Sequence, residues 1–204
     1  MASDMADALV RAAERLFAER GSDAVSLREI NAAAGATNAS AVQYHFNDRR
    51  GLVRAVLAKH EVEVEQRRHQ LLDAYEQRTE PQVRALAAAL VEPLAAELVC
   101  DGGLGYLQLV ADLYNRPNPT FDPSTFEDRS HSIHRWRAAA ALSLTPEAVR
   151  LHRRFDALRF TVSELARRGR SGAKDHRLFT SQLIDLVGAL LMTPVSDETR
   201  RFFR

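Results

Sequence analysis

The chain is short of several residue types, and each shortage removes a class of explanation. A single cysteine, Cys100, leaves no internal disulfide to form, so stability has to come from a buried core. Charge of one sign is missing too: 28 Lys and Arg stand against 27 Asp and Glu, a net charge of +1, so any affinity for nucleic acid has to come from a local patch. Long apolar runs are absent. Residues 85–99 and 183–195 are interrupted by Glu92, Pro93, Glu97 and Asp185, and fall short of the roughly 20 residues a membrane span needs, so no membrane partner is expected. Residues 1–17 are acidic and amphipathic and lack the basic and apolar blocks of a signal peptide, which places the expected home in a reducing cytoplasm.

Catalytic signatures are lacking as well. Gly103-Leu104-Gly105 is too short to cradle phosphate, and there is no Gly-x-Ser-x-Gly and no cysteine-nucleophile pattern, so neither an enzyme nor a cofactor is expected. His131 and His134 share a helical face, but no nearby cysteine completes a metal-ligand set. What remains is ordinary globular material: 204 residues, 46% apolar, with nine Gly and seven Pro.

Helical punctuation dominates, and no stretch alternates with period two, so the fold is expected to be all-α. Leu9, Ala13, Leu16 and Phe17 predict a first helix over about residues 5–20, closed by Gly21. Ser26-Leu27-Arg28-Glu29 is a capping box that opens a short second helix, stapled by Val25 and Ile30 and ended at Gly35. Thr37 or Asn38 then caps a third helix to about Phe46, and Asp48 caps a fourth bearing Leu52, Val53, Val56 and Leu57. Further on, Thr79-Glu80-Pro81-Gln82 resembles a capping box, Pro93 predicts a kink, and a short helix spans about residues 104–114. A proline-rich loop covers residues 115–123. Asp122-Pro123 and Thr145-Pro146-Glu147 read as the starts of two helices before residue 168. The boundary falls between a compact unit, residues 1–60, and a larger helical body, residues 61–204.

A capped helix, a glycine turn and a second short helix within some twenty residues form a helix-turn-helix, whose second helix enters the DNA major groove. No acidic residue lies between Glu29 and Asp48, and the segment offers Thr37, Asn38, Ser40, Gln43, Tyr44 and His45, which hydrogen-bond without repelling phosphate. Gln43 and Asn38 are the candidates for bidentate reading of adenine, and Ala39 and Ala41 for contact with thymine methyls. Arg28, Arg49, Arg50 and Arg54 flank the reading helix as phosphate ligands. The same pattern also fits three helices that merely pack together.

Residues 26–57 resemble the tetracycline-repressor (TetR) family of bacterial transcriptional regulators. The likeness is strongest in Ala33-Ala34-Gly35, Ala41-Val42-Gln43-Tyr44-His45-Phe46 and Arg49-Arg50-Gly51-Leu52. The resemblance implies a homodimer that binds a palindromic operator in double-stranded DNA and represses until a small-molecule effector enters the body and spreads the two heads. It assigns backbone contacts to Ser26 and Arg28, DNA contacts to Gln43 and Tyr44, and a phosphate contact to Arg49, where the family usually has lysine. The turn from Gly35 to Ser40 is one residue longer than the family's commonest form, which leaves the contacts of Thr37, Asn38 and Ala39 open. An amide at Gln43, in place of the usual aromatic, points to more direct base readout.

Two seams repeat with spacings of three and four: Leu151, Phe155, Leu158, Val162 and Leu165, then Phe179, Leu183, Leu186 and Leu190. Doubled by a two-fold axis they make a four-helix bundle; alternatively both bury inside one subunit. The candidate effector pocket gathers Tyr106, Tyr114, Phe121, Phe126 and Trp136, with His134 as a polar handle, although each also suits a plain core. Arg167, Arg168 and Arg170 read as favourable cations at a helix C-terminus. The competing function is an all-helical module that binds another protein. Steep weakening of binding with salt would separate DNA binding from it.

Overall fold

A computed structural model describes residues 2–38, 40–80, 82–116 and 130–203. Among these residues every regular element is helical: α1 (Ala2–Arg20), α2 (Leu27–Ala33), α3 (Ala41–Phe46), α4 (Arg49–Glu76), α5 (Val83–Ala95), a 3-10 turn (Ala96–Val99), α6 (Gly103–Asn115), α7 (Ser132–Ser143), α8 (Pro146–Arg150), α9 (Arg153–Gly169), α10 (Arg177–Met192) and α11 (Asp197–Arg200). No helix among the described residues is long and apolar enough to cross a membrane.

The head is built as its local signals dictate. Leu9, Ala13 and Phe17 present one buried stripe of α1, and Val25, Ile30, Val42, Leu52 and Val56 complete a small core around it. The Ser26 hydroxyl accepts from the Glu29 amide while the Glu29 carboxylate accepts from the Ser26 amide, so the capping box forms in both directions. Asp48 caps α4 by accepting from the Gly51 amide at 2.8 Å. The start of α3 differs from expectation. Its cap is Ser40, without a side-chain bond, while Asn38 Oδ1 accepts from the amide (2.9 Å) and hydroxyl (2.7 Å) of Ser40 and so holds the turn that leads into the helix.

Helix α4 runs 28 residues without a break through the expected boundary at residue 60. Its buried positions, Leu52, Val56, His60, Val64, Arg68 and Leu72, recur every fourth residue. At 3.6 residues per turn, five such steps rotate the buried stripe by about 200°, so one rod faces the head core at its start and the body core at its end.

In the body, α5 is the central element, buried on nearly all sides against α4, α7, α9 and α10. After Pro93 its backbone tightens into the 3-10 turn. The capping box expected before α5 does not form, because Gln82 is the cap and makes no side-chain bond; Pro81 lies outside the described residues. Thr145 does cap α8, by accepting from the Ala148 amide. That helix is short, since His152 adopts φ +56° and restarts the chain as α9. Three helices, not two, therefore lie between residues 130 and 170, and Leu151 ends α8 rather than opening the seam.

The seams are used mainly within the subunit. Leu158, Val162, Leu165 and Leu183 are buried inside the chain, Phe155 and Phe179 are half-buried, and only Leu186 and Leu190 reach the surface. Of the pocket candidates, Trp136 is fully enclosed and donates to the Leu86 carbonyl at 2.8 Å, and Tyr106 is core. Tyr114 is half-buried with its ring 6.0 Å from that of Phe155. Phe121, Phe126 and the expected helix start at Asp122-Pro123 lie outside the described residues.

The head meets the body along α1 and α6. Leu109 of α6 is part of the head core. Asp112 accepts from the Ser22 amide at 2.6 Å and from Gln108, whose own oxygen accepts from Arg170. Arg170 is thus tied to α6 rather than left as a simple helix cap.

Candidate nucleic-acid interface

The outer surface of α2 and α3 carries the expected polar groups. Gln43 and Tyr44 of α3 point into solvent, with Tyr44 79% exposed, and Thr37, Asn38, Ser26 and Arg28 are also exposed. A tyrosine so open is unusual for a side chain with that much apolar surface, and leaves it available for stacking or for a phosphate hydrogen bond. His45 and Ser40 are half-buried; the His45 ring packs edge-on to Tyr44 at 5.0 Å. Arg50 and Arg54 are exposed at the start of α4. Ala41 is 6% exposed and packs into the head core, which takes it away from any thymine methyl; Ala39 lies outside the described residues.

Arg49 occupies a different role from the phosphate ligand implied by resemblance. Its guanidinium turns back beneath the head, donating to the carbonyls of Val25 (2.6 Å) and Ser22, with the Phe17 ring 5.9 Å away. Its hydrogen bonds bind the loop before α2 to the start of α4. Hence it positions the reading unit from behind.

Asn31 was invisible as a functional residue in the sequence, yet it sets the angle between α2 and α3. It is 4% exposed, and its Oδ1 accepts from the Val42 amide at 3.1 Å, one of the orphan donors in the first turn of α3. A polar residue inside the buried stripe of a short helix was the only available signal. Asn31→Ala leaves that amide without its side-chain acceptor, and we expect a loss of about 1–3 kcal/mol in stability, read by urea unfolding, with weaker DNA binding. An unchanged midpoint would refute the assigned role.

Electrostatics follow the same division. The acid at the α2 edge of the site, Glu29, is committed inward: the Ser26 amide and hydroxyl and the Arg20 guanidinium hold its carboxyl pKa at about 2. Its capping contribution is therefore complete above the ordinary carboxylate range and fades only as pH falls towards 2. From α2 to the end of α3 the surface is left polar and free of unpaired acid.

A capped helix, a left-handed glycine at Gly35 (φ +69°) and a short second helix with an open polar face define a helix-turn-helix DNA-binding domain. Residues 9–56 match the model of the tetR family of bacterial regulatory proteins. The matched domain, which lies at the N-terminus with further helices behind it, supports a DNA-binding transcriptional regulator. No curated protein matches the chain.

Proposed function

We propose that the protein acts as a homodimer on a palindromic operator, as a cytoplasmic repressor released by a small molecule, with no catalysis of its own. The observation that carries this reading is the exposed, acid-free face of α3, with Gln43 and Tyr44 at its centre. The exposed Ser26, Arg28, Thr37 and Asn38 serve as supporting contacts, and Arg50 and Arg54 supply phosphate charge.

Support for the dimer comes from α10, which leaves Leu178, Leu186, Leu190 and Met192 uncovered, 83%, 44%, 37% and 47% exposed. With Leu158, Val162, Leu165 and Leu183 consumed inside the subunit, this outer face is the remaining apolar surface of the two seams. Support for an effector comes from the body interior. Among the described residues, Arg68 Nε and His134 Nε2 are enclosed without a hydrogen-bond partner, a costly arrangement that a polar ligand would relieve. These two replace Trp136 and Tyr106 as the side chains most open to a ligand's polar groups.

Selection of bound fragments from genomic DNA followed by footprinting tests the reading, with a palindrome as the expected result. Affinity should fall steeply between about 50 and 200 mM salt, by about a thousandfold if six phosphates are neutralised. Gln43→Ala should cost about 1–3 kcal/mol on the selected operator and little on scrambled DNA. Equal losses on both would remove Gln43 from base readout. Absence of any preferred sequence, with binding indifferent to salt, would favour the protein-interaction module.

A further inference from the structure

Asp101-Gly102-Gly103-Leu104-Gly105 binds no phosphate-like pattern, yet three glycines in four residues call for a physical cause. A Cβ at Gly102 would lie 2.5 Å from the Glu14 carboxyl carbon, at Gly105 2.6 Å from the Glu14 Cα, and at Gly103 2.9 Å from the Glu97 carbonyl carbon. The start of α6 is therefore pressed onto α1 of the head and the 3-10 turn of the body, closer than any side chain allows.

That close approach encloses a four-group ionic cluster. His60 of α4 is 5% exposed, and its two ring nitrogens face two different carboxylates: Nε2 to Glu14 Oε1 at 2.9 Å and Nδ1 to Glu97 Oε2 at 2.6 Å. Glu14 and Glu97 are each 2% exposed. Lys59, one of only two lysines in the chain, reaches both oxygens of Glu14 at 2.9 and 2.7 Å. The Tyr106 ring stacks on His60 at 4.8 Å. A neutral imidazole has one N–H and one lone pair, so it can serve only one of two carboxylates and sets its lone pair against the other. Both short contacts are satisfied only by the imidazolium, which also brings the charges of Glu14, Glu97, Lys59 and His60 to zero.

We propose that His60, held as an imidazolium between Glu14 of the head and Glu97 of the body, is the positioning residue that locks the DNA-reading head in one orientation on the body. Loss of this lock frees the head while leaving the reading helix itself intact. The inference rests on the DNA-binding reading for its functional consequence, and on the geometry alone for the protonated state. Head and body meet here through α1, α4, the 3-10 turn and α6, so a change transmitted by any of them alters the same contact.

The pH sign follows from the groups that face the ring: Glu14 from α1, Glu97 from the 3-10 turn, Lys59 from its own helix and Tyr106 from α6. Burial pushes the His60 pKa down, but the hydrogen bonds and charges of Glu14 and Glu97 push it further up, to about 9. Burial raises Glu14, while His60 and Lys59 lower it by more, so it stays ionised. Burial keeps the Tyr106 phenol neutral. The stabilising contribution of His60 is complete below its ordinary 6.5 and is lost as pH rises through about 9.

The test uses the full-length protein. Nitrogen-15 shifts of the His60 ring should show both nitrogens protonated at pH 7 and a midpoint near 9. Glu97→Gln should move that midpoint down towards 6.5. His60→Gln should weaken binding to the selected operator by about 5- to 150-fold while leaving affinity for a half-site duplex within about twofold, since only the relation between two heads is disturbed. A midpoint at or below 6.5, or equal losses on operator and half-site, would overturn the proposal; should His60→Gln fail to fold, the wild-type ring titration still decides it. Failure of every duplex to bind would sink the DNA-binding reading while leaving the titration result standing.

Discussion

Gly51→Ala is expected to displace the reading helix and to cost roughly 3 kcal/mol, at the upper end for over-packing. The added Cβ would overlap the Phe46 carbonyl oxygen and lie 2.9 Å from its carbon, both backbone atoms that no rotamer change can move. Phe46 ends α3, Asn47 turns the corner at φ +66°, and Asp48 caps α4 through the Gly51 amide, so the clash falls on the joint that aims Gln43 and Tyr44. DNA affinity should therefore fall with stability. Gly35→Ala makes a sharp comparison: nothing lies within 4 Å of its Cβ, and the cost is only the left-handed backbone, about 1–2 kcal/mol. Urea midpoints for the two variants check the ordering, and a smaller effect at Gly51 than at Gly35 would refute it.

Trp136→Ala is expected to be the most damaging substitution in the body, at about 3–5 kcal/mol. The indole is fully enclosed, packs in the cluster built by Leu86, Leu90, Leu107 and Val187, and donates to the Leu86 carbonyl. For a chain of this length such a loss lowers the melting temperature by roughly 6–20 °C. The melt should be cooperative and lowered whether or not an effector is present. A variant with unchanged melting but lost effector response would return Trp136 to the ligand site.

Both residues illustrate which parts of the molecule were legible in the sequence. Three short-range signals read correctly, since Ser26 with Glu29, Asp48 and Thr145 cap the helices they precede, whereas the caps read at Thr37 or Asn38 and at Thr79 did not form. Signals that depend on distant partners did not read correctly. Arg49 looked like a phosphate ligand because nothing nearby in sequence announces that Ser22 and Val25 would bring their carbonyls to it. Helix α4 was legible only as far as Leu57, since His60 and Arg68 interrupt the apolar pattern and are buried only by virtue of charges on α1, the 3-10 turn and the rest of α4. The break at His152 has no local cause of the glycine or proline kind, and it moved the start of the first seam. Gly103-Leu104-Gly105 read in the sequence only as too short to cradle phosphate, because the reason for Gly105, the backbone of Glu14, lies some ninety residues away.

The winding of the buried stripe on α4 bears on how such a molecule can be taken apart. Leu109 belongs to the head core although it comes from the body, and Leu57 touches both cores. A chimera that transplanted the first sixty residues onto a foreign partner would carry a hole where Leu109 sat and, at its cut end, a His60 Nδ1 that has lost Glu97. The reading unit is recognisable by itself, but it is not portable: whatever binds far behind it is soldered to it through a shared rod.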